Sequence, residues 1–493
     1  MSLAIHYPAL QVVVPLLAAP LCVILKRGAL CWFLALAVSL TTLFVAGSLL
    51  VQTLEQGVIS YAIGGWAAPW GIEYRVDTLD AFVLVIVAAI GSVVLPFARR
   101  SVEAEVEAEK HYLFYSAFLL CLTGLLGIAI TGDAFNLFVF LEISSLSTYA
   151  LVSMGKDRRA LTAAYQYLIM GTLGATFYLI GVGLLYMVTG TLNMADLAER
   201  LPALLDSRTV RAALAFLTVG ISLKLALFPL HLWLPNAYTY APSAVTAFLA
   251  GTATKVAVYI LIRMLFTVFG VEFALGAMPL DDVLLPLALI AVLSASVVAI
   301  FQDNAKRLLA YSSVAQIGYI VAGISLASVT GLTSALVHLF NHALMKGALF
   351  MALGCVMYRI GSVQIRDLAG LGKRMPWTMA AFVGGGMSLI GVPLTAGFIS
   401  KWYLVIGALE QGLWLVAAIV LIGSLLAVVY VWRVVEAAYF KPYAGPDSVT
   451  EAPPSLLLPT WLLILANFYF GIDTDLTAGV ARQAALQLMG VTP

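Results

Sequence analysis

The stretch GISLKLALFPLHLWLPNAYTYAPSAVTAFLAGTATK, residues 220–255, decides the fold. It sets two lysines, Lys224 and Lys255, in segments otherwise apolar enough for a bilayer interior, with Pro229 and Pro235 between them. A proline removes a backbone donor and clashes with the preceding turn, so the helix carrying Lys224 is expected to break at or near Pro229. At membrane depth a broken helix is tolerated only where it is buried in protein or lines a wet cavity. An ammonium there costs ~2.5–3.5 kcal/mol on insertion scales and marks an ion pathway. The stretch reads as transport machinery, not scaffold.

Composition points the same way. Of 493 residues, 62% are hydrophobic and 10% charged, whereas soluble domains carry roughly 25% charge. Mean hydropathy is +1.02. The chain is therefore expected to be an all-α polytopic membrane protein. A net charge of +1 gives no pull toward nucleic acid. Cys22, Cys31, Cys121 and Cys355 are scattered through apolar runs without Cys-x-x-Cys or Cys/His spacing, so they are expected to pack in the core. The first apolar run has no basic segment ahead of it and is expected to be a retained span, not a signal peptide. No long polar insert offers a soluble catalytic domain, and the residues call for no cofactor or resident metal.

Apolar stretches of bilayer length fall at 8–25, 30–53, 78–98, 111–131, 133–154, 160–189, 209–238 (broken), 243–269, 283–302, 306–327, 331–358 (irregular), 377–409 (broken), 412–435 and 455–472. That is about fourteen spans. With the N-terminus outside, the inner loops hold sixteen basic residues, Lys156, Lys306 and Arg374 among them, and the outer loops five. That asymmetry matches the positive-inside rule and makes both termini extracytoplasmic; the acidic run from Glu103 to Glu109 counts for little in it. The segment GTLNMADLA (190–198) returns as GSVQIRDLA (361–369), and Ser144-Ser145 with Gly155 match Ser312-Ser313 with Gly323. Two five-helix copies are expected, at 111–270 and 283–436, flanked by an N-terminal three-helix region (1–110) and a C-terminal loop and last span (437–493). An odd number of spans inverts the second copy, and paired broken helices in inverted repeats mark the pathway of secondary transporters.

The candidate chemistry is a chain of buried ionisable groups. Glu142 lies mid-span, where a carboxylate must be neutral, paired or hydrated, and its natural partner is Lys224. Lys255 follows about twelve residues into the next span, too deep to snorkel, whereas Arg263 nearer the outer end is expected to snorkel. His338, His342 and Lys346 recur every four residues on one helix face. Imidazole can accept and donate near neutral pH, which suits a proton relay; a metal pair lacks an evident third ligand. Lys401 follows Pro393 and Gly397 in the second broken helix, with Ser400 and Tyr403 beside it. His231 is a weaker relay candidate, or a donor to the broken helix's free carbonyls. The bland alternatives are a structural ion pair and a core-packed histidine pair.

The phrases FNLFVFLE (135–142), SLKLALFPLHLWLP (222–235), GTATKVAVY (251–259), KRLLAYSSVAQIGY (306–319), HLFNHALMKGALF (338–350) and GVPLTAGFISKWY (391–403) carry a resemblance. The chain resembles the antiporter-like subunits shared by respiratory complex I, membrane-bound hydrogenases and Mrp-type cation/proton antiporters. GGWAAPWGIEYRVDTLDAF (64–82) and the fourteen-span length are most similar to the D-type chain of Mrp antiporters. The resemblance implies a proton route through Glu142, Lys224, Lys255, His338, His342, Lys346 and Lys401. M-type subunits tend to carry glutamate where Lys401 stands, and L-type subunits add a long lateral helix; N-type complex I subunits also have lysine there and remain the alternative. The implied function is a proton-translocating subunit of a multisubunit Na+/H+ antiporter in the bacterial inner membrane. Its partners would be other integral membrane subunits, with sodium handled elsewhere, since hard cations want several oxygens. A proton-pumping subunit of a redox complex is the second reading, and a stand-alone solute transporter a third that the linear charge chain disfavours.

Overall fold

The computed structural model describes residues 3–443, 445–446 and 448–491. Its helices are α1 (Tyr7–Leu25), α2 (Gly28–Gln56), α3 (Thr78–Glu105), α4 (His111–Ile130), α5 (Ala134–Ser153), α6 (Arg159–Thr189), α7 (Met194–Arg200), α8 (Arg208–Leu225), α9 (Trp233–Tyr240), α10 (Ser243–Gly251), α11 (Ala253–Ile262), α12 (Asp281–Ile300), α13 (Ala305–Ser325), α14 (Val329–Ile360), α15 (Leu371–Arg374), α16 (Pro376–Ile390), α17 (Ala396–Glu410), α18 (Trp414–Phe440), α19 (Pro454–Ile472) and α20 (Asp475–Leu488). One antiparallel hairpin, β1 (Ile59–Ala62) with β2 (Glu73–Val76), links α2 to α3. Among the described residues, twelve helical stretches are long and apolar enough to cross a membrane. The chain is a multi-pass membrane protein.

Where each helix sits follows from how much of it the rest of the chain covers. The stretch Ser243–Val268 and α13 are 94% buried, while α6, α12 and α18 are 39% buried over their most apolar windows. The first two run through the protein interior; the other three turn apolar faces such as Leu421, Leu425 and Val429 outward, as a lipid-facing rim does. All four cysteines are buried, as their apolar neighbours imply.

Three interruptions shape the interior. Helix α8 ends at Leu225 because Ala226 turns into the left-handed region (φ 58°), three residues ahead of Pro229, and α9 resumes at Trp233. The Trp233 indole N–H then donates to the freed Leu223 carbonyl at 3.0 Å. Helix α16 ends at Gly391 (φ 92°), and α17 resumes at Ala396. Gly397 lets these two half-helices touch: a Cβ there would lie 1.8 Å from the Ser388 carbonyl oxygen. The third interruption corrects the unbroken span expected at 243–269. Thr252 (φ −127°, ψ −60°) separates α10 from α11, and residues Arg263–Val268 continue as a wide π-type turn. No proline is involved; the Thr252 hydroxyl donates to the Phe248 carbonyl at 2.7 Å, a back-bond that bends helices.

Two other expectations are overturned. The span at 331–358 is not irregular: α14 is one regular helix of 32 residues, started by Ser328, whose side chain accepts from Gly331 N–H, and ended by Gly361 at φ 67°. Burial along most of its length accompanies the unbroken helix, its glycines included. Lys306 is not a loop residue; it sits in the first turn of α13, 1% exposed. Helix α20, packed on α14 and α3 after the last long apolar helix, was not anticipated.

Candidate functional site: a buried line of ionisable groups

Asp133 starts α5 by accepting the Asn136 N–H at 2.6 Å, and nine residues on α5 presents Glu142. Its Oε1 lies 3.9 Å from Lys224 Nζ, in the last turn of α8. The ammonium donates to Ser145 Oγ at 2.7 Å, so the two charges are adjacent but their hydrogen bonds are not shared. Glu142 Oε1 is enclosed and has no hydrogen-bond partner among the described residues.

Beyond Lys224 lies a cavity of about 30 Å³, lined on one side by Lys224, Ser145 and Thr148 and on the other by Ala253, Val256 and Ala257 of α11. It has room for about one or two waters. Lys255 stands on the same helix, its ammonium donating to the Ala250 carbonyl at the end of α10 and, at 3.3 Å, to Thr254 Oγ1. Lys224 and Lys255 share no direct bond among the described residues.

Helix α14 supplies the centre of the line. The end of α10 that receives Lys255 packs on α14: a Cβ at Gly251 would lie 3.5 Å from the Ala343 carbonyl oxygen, next to His342 in the chain. The His338 and His342 rings stack with centroids 5.9 Å apart. His338 Nδ1 is 2.7 Å from Ser400 Oγ, whereas its Nε2 and both ring nitrogens of His342 have no partner among the described residues. Lys346 donates to the Leu309 carbonyl at 2.8 Å and to Ser312 Oγ. The last member, Lys401, reaches back from α17 to the carbonyls of Leu389 and Ile390 at 2.9 and 2.8 Å, which α16 leaves free where it stops. Its ammonium also lies 4.9 Å over the Tyr319 ring. A Cβ at Gly391 would meet Lys401 Cδ at 3.0 Å, so glycine serves both the turn and the lysine.

The structure thus gathers three groups: Glu142 with Lys224, Lys255 with His338, His342 and Lys346, and Lys401 with His338 through Ser400. Among the described residues no carboxylate pairs with Lys255, Lys346 or Lys401; carbonyl and hydroxyl oxygens receive them instead. His231 stays outside the line, between the Phe228 and Tyr311 rings. Its Nδ1 has no partner among the described residues, and it is Trp233 that takes the free carbonyl.

Sequence reasoning missed two charge clusters. Arg263 does not snorkel: it is 6% exposed and its guanidinium binds both Asp77 and Asp80. Tyr259 donates its hydroxyl proton to Asp80 at 2.6 Å. Asp80 is thus a second carboxylate buried in the protein, 3% exposed. Asp77 and Asp80 also cap α3 reciprocally, and the Asp-x-x-Asp spacing ahead of an apolar run was the available signal. The second cluster joins Glu105, at the far end of α3, to Lys306 at 3.9 Å. Each cluster lines a cavity, about 430 Å³ beside Asp80 and about 520 Å³ beside Glu105. These lie at opposite ends of α3, roughly 40 Å apart along its axis. On the rim of the larger cavity, Arg159 hydrogen-bonds Asp157 and holds its carboxyl below the usual carboxylate range.

Against this geometry, comparison with known proteins is informative. Residues 131–427 match the family model described as NADH:quinone oxidoreductase/Mrp antiporter, TM. The N-type chain of the NADH-quinone oxidoreductase of Desulforudis audaxviator is 46% identical over 91% of this chain and 89% of its own length. The D-type chain of the Na(+)/H(+) antiporter of Bacillus subtilis is 28% identical over 98% and 97% of the two chains. A chain of the Mrp complex from Dietzia sp. DQ12-45-1b superposes with a TM-score of 0.90 at 27% identity, covering 99% of this chain and 98% of that one.

Proposed function

The chain belongs to the NADH:quinone oxidoreductase/Mrp antiporter transmembrane family, and from that premise we propose that it is the proton-translocating subunit of a multisubunit Na+/H+ antiporter of Mrp type. Protons would move along Glu142, Lys224, Lys255, the His338–His342–Lys346 face and Lys401. One observation carries the reading: Lys255, Lys346 and Lys401 are buried with neutral acceptors only. A buried ammonium without a counter-ion costs several kcal/mol, so nature keeps such groups where a proton must come and go. The membrane potential supplies ~2.3 kcal/mol per charge per 100 mV, enough to drive exchange for a cation held by another subunit.

Fourteen crossings, ten of them in two inverted five-helix repeats at 111–270 and 283–436, follow if α8 with α9 and α16 with α17 are each counted as one interrupted span. A pair of short backbone bridges supports this. Ala134 N–H donates to Leu192 and Met194 N–H to Gly132; Ala305 N–H donates to Val363 and Ile365 N–H to Asp303. Every residue of the second bridge stands 171 positions beyond its counterpart, so the two copies tie their long helices down in the same way. The regions 1–110 and 437–493 flank them. The inner bacterial membrane, with both termini extracytoplasmic, agrees with the loop charges.

A partner subunit is supported by α5. Phe135, Val139 and Leu146 are exposed on one stripe, and Glu142, 26% exposed in its side chain, lies on that stripe at mid-span. Lipid tails cannot solvate a carboxylate, so a neighbouring membrane subunit covers this face. The second reading, a proton-pumping N-type subunit of a redox complex, is favoured by the 46% identity to the Desulforudis protein. Purifying the complex on a tagged copy of this chain separates the two: co-purifying antiporter subunits support the first, flavin or iron–sulfur subunits the second. Loss of exchange in everted vesicles bearing Lys401→Arg, with the complex assembled, tests the relay common to both.

A further inference from the structure

We propose that Glu105 and Glu451 are positioning residues that act on the relay lysines through two half-helices. Each glutamate fixes the N-terminus of a half-helix whose C-terminal carbonyls hold a lysine ammonium: Lys255 on α10, Lys401 on α16. The inference rests on the relay reading above.

Neither half-helix supplies its own cap. Pro242 precedes α10 and Met375 precedes α16, and neither offers a side-chain acceptor to the first-turn N–H groups. At α10 those donors would be orphaned in the protein interior, where Ser243 is fully buried, whereas at α16 they open to the surface beside Trp377, which is 63% exposed. Carboxylates from distant parts of the chain take them. Glu105 Oε2 accepts from Ser243 N–H and Ser243 Oγ, both at 3.0 Å. Glu451 Oε2 accepts from Trp377 N–H at 2.7 Å and Thr378 N–H at 3.3 Å, while its Oε1 takes the Thr378 hydroxyl at 2.5 Å.

The other ends carry the opposite charge. Lys255 donates to the Ala250 carbonyl, in the last turn of α10, and Lys401 to the Leu389 and Ile390 carbonyls closing α16. An anion at the N-terminus and a cation at the C-terminus are what the helix dipole favours. With nine and fifteen residues, these helices are too short to be firm on their own, so their end groups decide how well the last carbonyls are aimed. The same plan appears twice, built from unrelated stretches. Helix α8 is the contrast: Ser207 caps it locally, and its lysine, Lys224, is held by a hydroxyl instead of a helix-end carbonyl. When the lysine gives up its proton it keeps two weaker, uncharged N–H donors, and the capped N-terminus keeps the carbonyls aligned for the proton's return.

The glutamates sit in different surroundings. Ser101 Oγ at 2.7 Å and Lys306 at 3.9 Å also hold Glu105; Arg359 holds the backbone carbonyl of Glu451. The test is exchange by the whole complex in everted vesicles at graded pH. In Glu451→Ala, and separately in Glu105→Ala, the proton concentration at half-maximal rate should rise by about threefold or more, with the amount of assembled complex and its melting temperature near wild type. Glu451→Gln, which keeps an acceptor at the cap, should recover most of the loss. If Glu105→Ala does not assemble, because Lys306 is left unpaired, Glu105→Gln and the Glu451 pair decide. An unchanged half-saturating proton concentration in the alanine variants overturns the proposal, as does a loss confined to the amount of complex. A failed relay looks different: Lys401→Arg, which keeps the charge but not the exchangeable proton, would then exchange near the wild-type rate.

Discussion

Lys401 poses the sharpest question at the level of single side chains. It donates to two carbonyls, and its chain neighbour Ser400 meets His338 Nδ1, so it either exchanges its proton or serves as a fixed charge at the end of α16. Lys401→Ala should stop turnover on either view. Lys401→Arg separates them, because a guanidinium keeps its proton: exchange near the wild-type rate would sink the relay assignment. At the other end of the line, Glu142→Ala should abolish exchange in an assembled complex, whereas Glu142→Asp should retain part of it; normal exchange with Glu142→Ala at wild-type expression removes Glu142 from the route. Arg263 behaves oppositely. It neutralises Asp77 and Asp80, and Arg263→Gln leaves two buried carboxylates uncompensated at a cost of about 3–5 kcal/mol. That variant should fail at assembly, as native-gel yield would reveal; full yield with lost exchange would instead add it to the pathway.

The interruptions are the working parts among the elements. At the end of α16, Gly391 combines a left-handed backbone with van der Waals contact to Lys401, whereas Gly361, closing α14 at φ 67°, has open space where a Cβ would go. Both alanine variants bear a backbone strain of about 1–2 kcal/mol. Only Gly391→Ala should also push the Lys401 side chain. Exchange per assembled complex should therefore fall several-fold further in Gly391→Ala than in Gly361→Ala; equal losses would mean that the turn matters and the lysine contact does not. Helix α10 adds an interruption that no proline announces. Thr252 makes it by back-bonding, an event that depends on which hydroxyl rotamer the surrounding packing permits.

For the whole molecule the prediction is topological. Lys156 and Arg374 should face the cytoplasm and Asp473 the outside, as the loop-charge asymmetry and the inverted copies require. Single cysteines at these positions, labelled by a membrane-impermeant thiol reagent from each side, provide the check. An externally reactive cysteine at position 374 would contradict the inverted arrangement. The stripe of α5 bearing Glu142 should be protected from the same kind of reagent only in the assembled complex, because a neighbouring subunit and not lipid covers it.

The sequence by itself determined the membrane class, the positions of most helices and the ionisable residues of the line, though not the buried Arg263, Asp80 and Lys306. Each of these is a one-dimensional property: hydropathy over twenty residues, prolines that cannot continue a helix, and charges too far from any span end to snorkel. It determined the neighbourhood of the breaks but not their sites, since α8 stops at Leu225, four residues ahead of Pro229, where Trp233 can take the Leu223 carbonyl. What each charge faces was decided only by the tertiary structure. Glu105 and Ser243 lie 138 residues apart in the chain, and Arg263 and Asp80 lie 183. A pairing over such distances leaves no local periodicity to read; it exists because packed helices bring an orphaned helix end or an uncompensated charge up against the one group that can satisfy it.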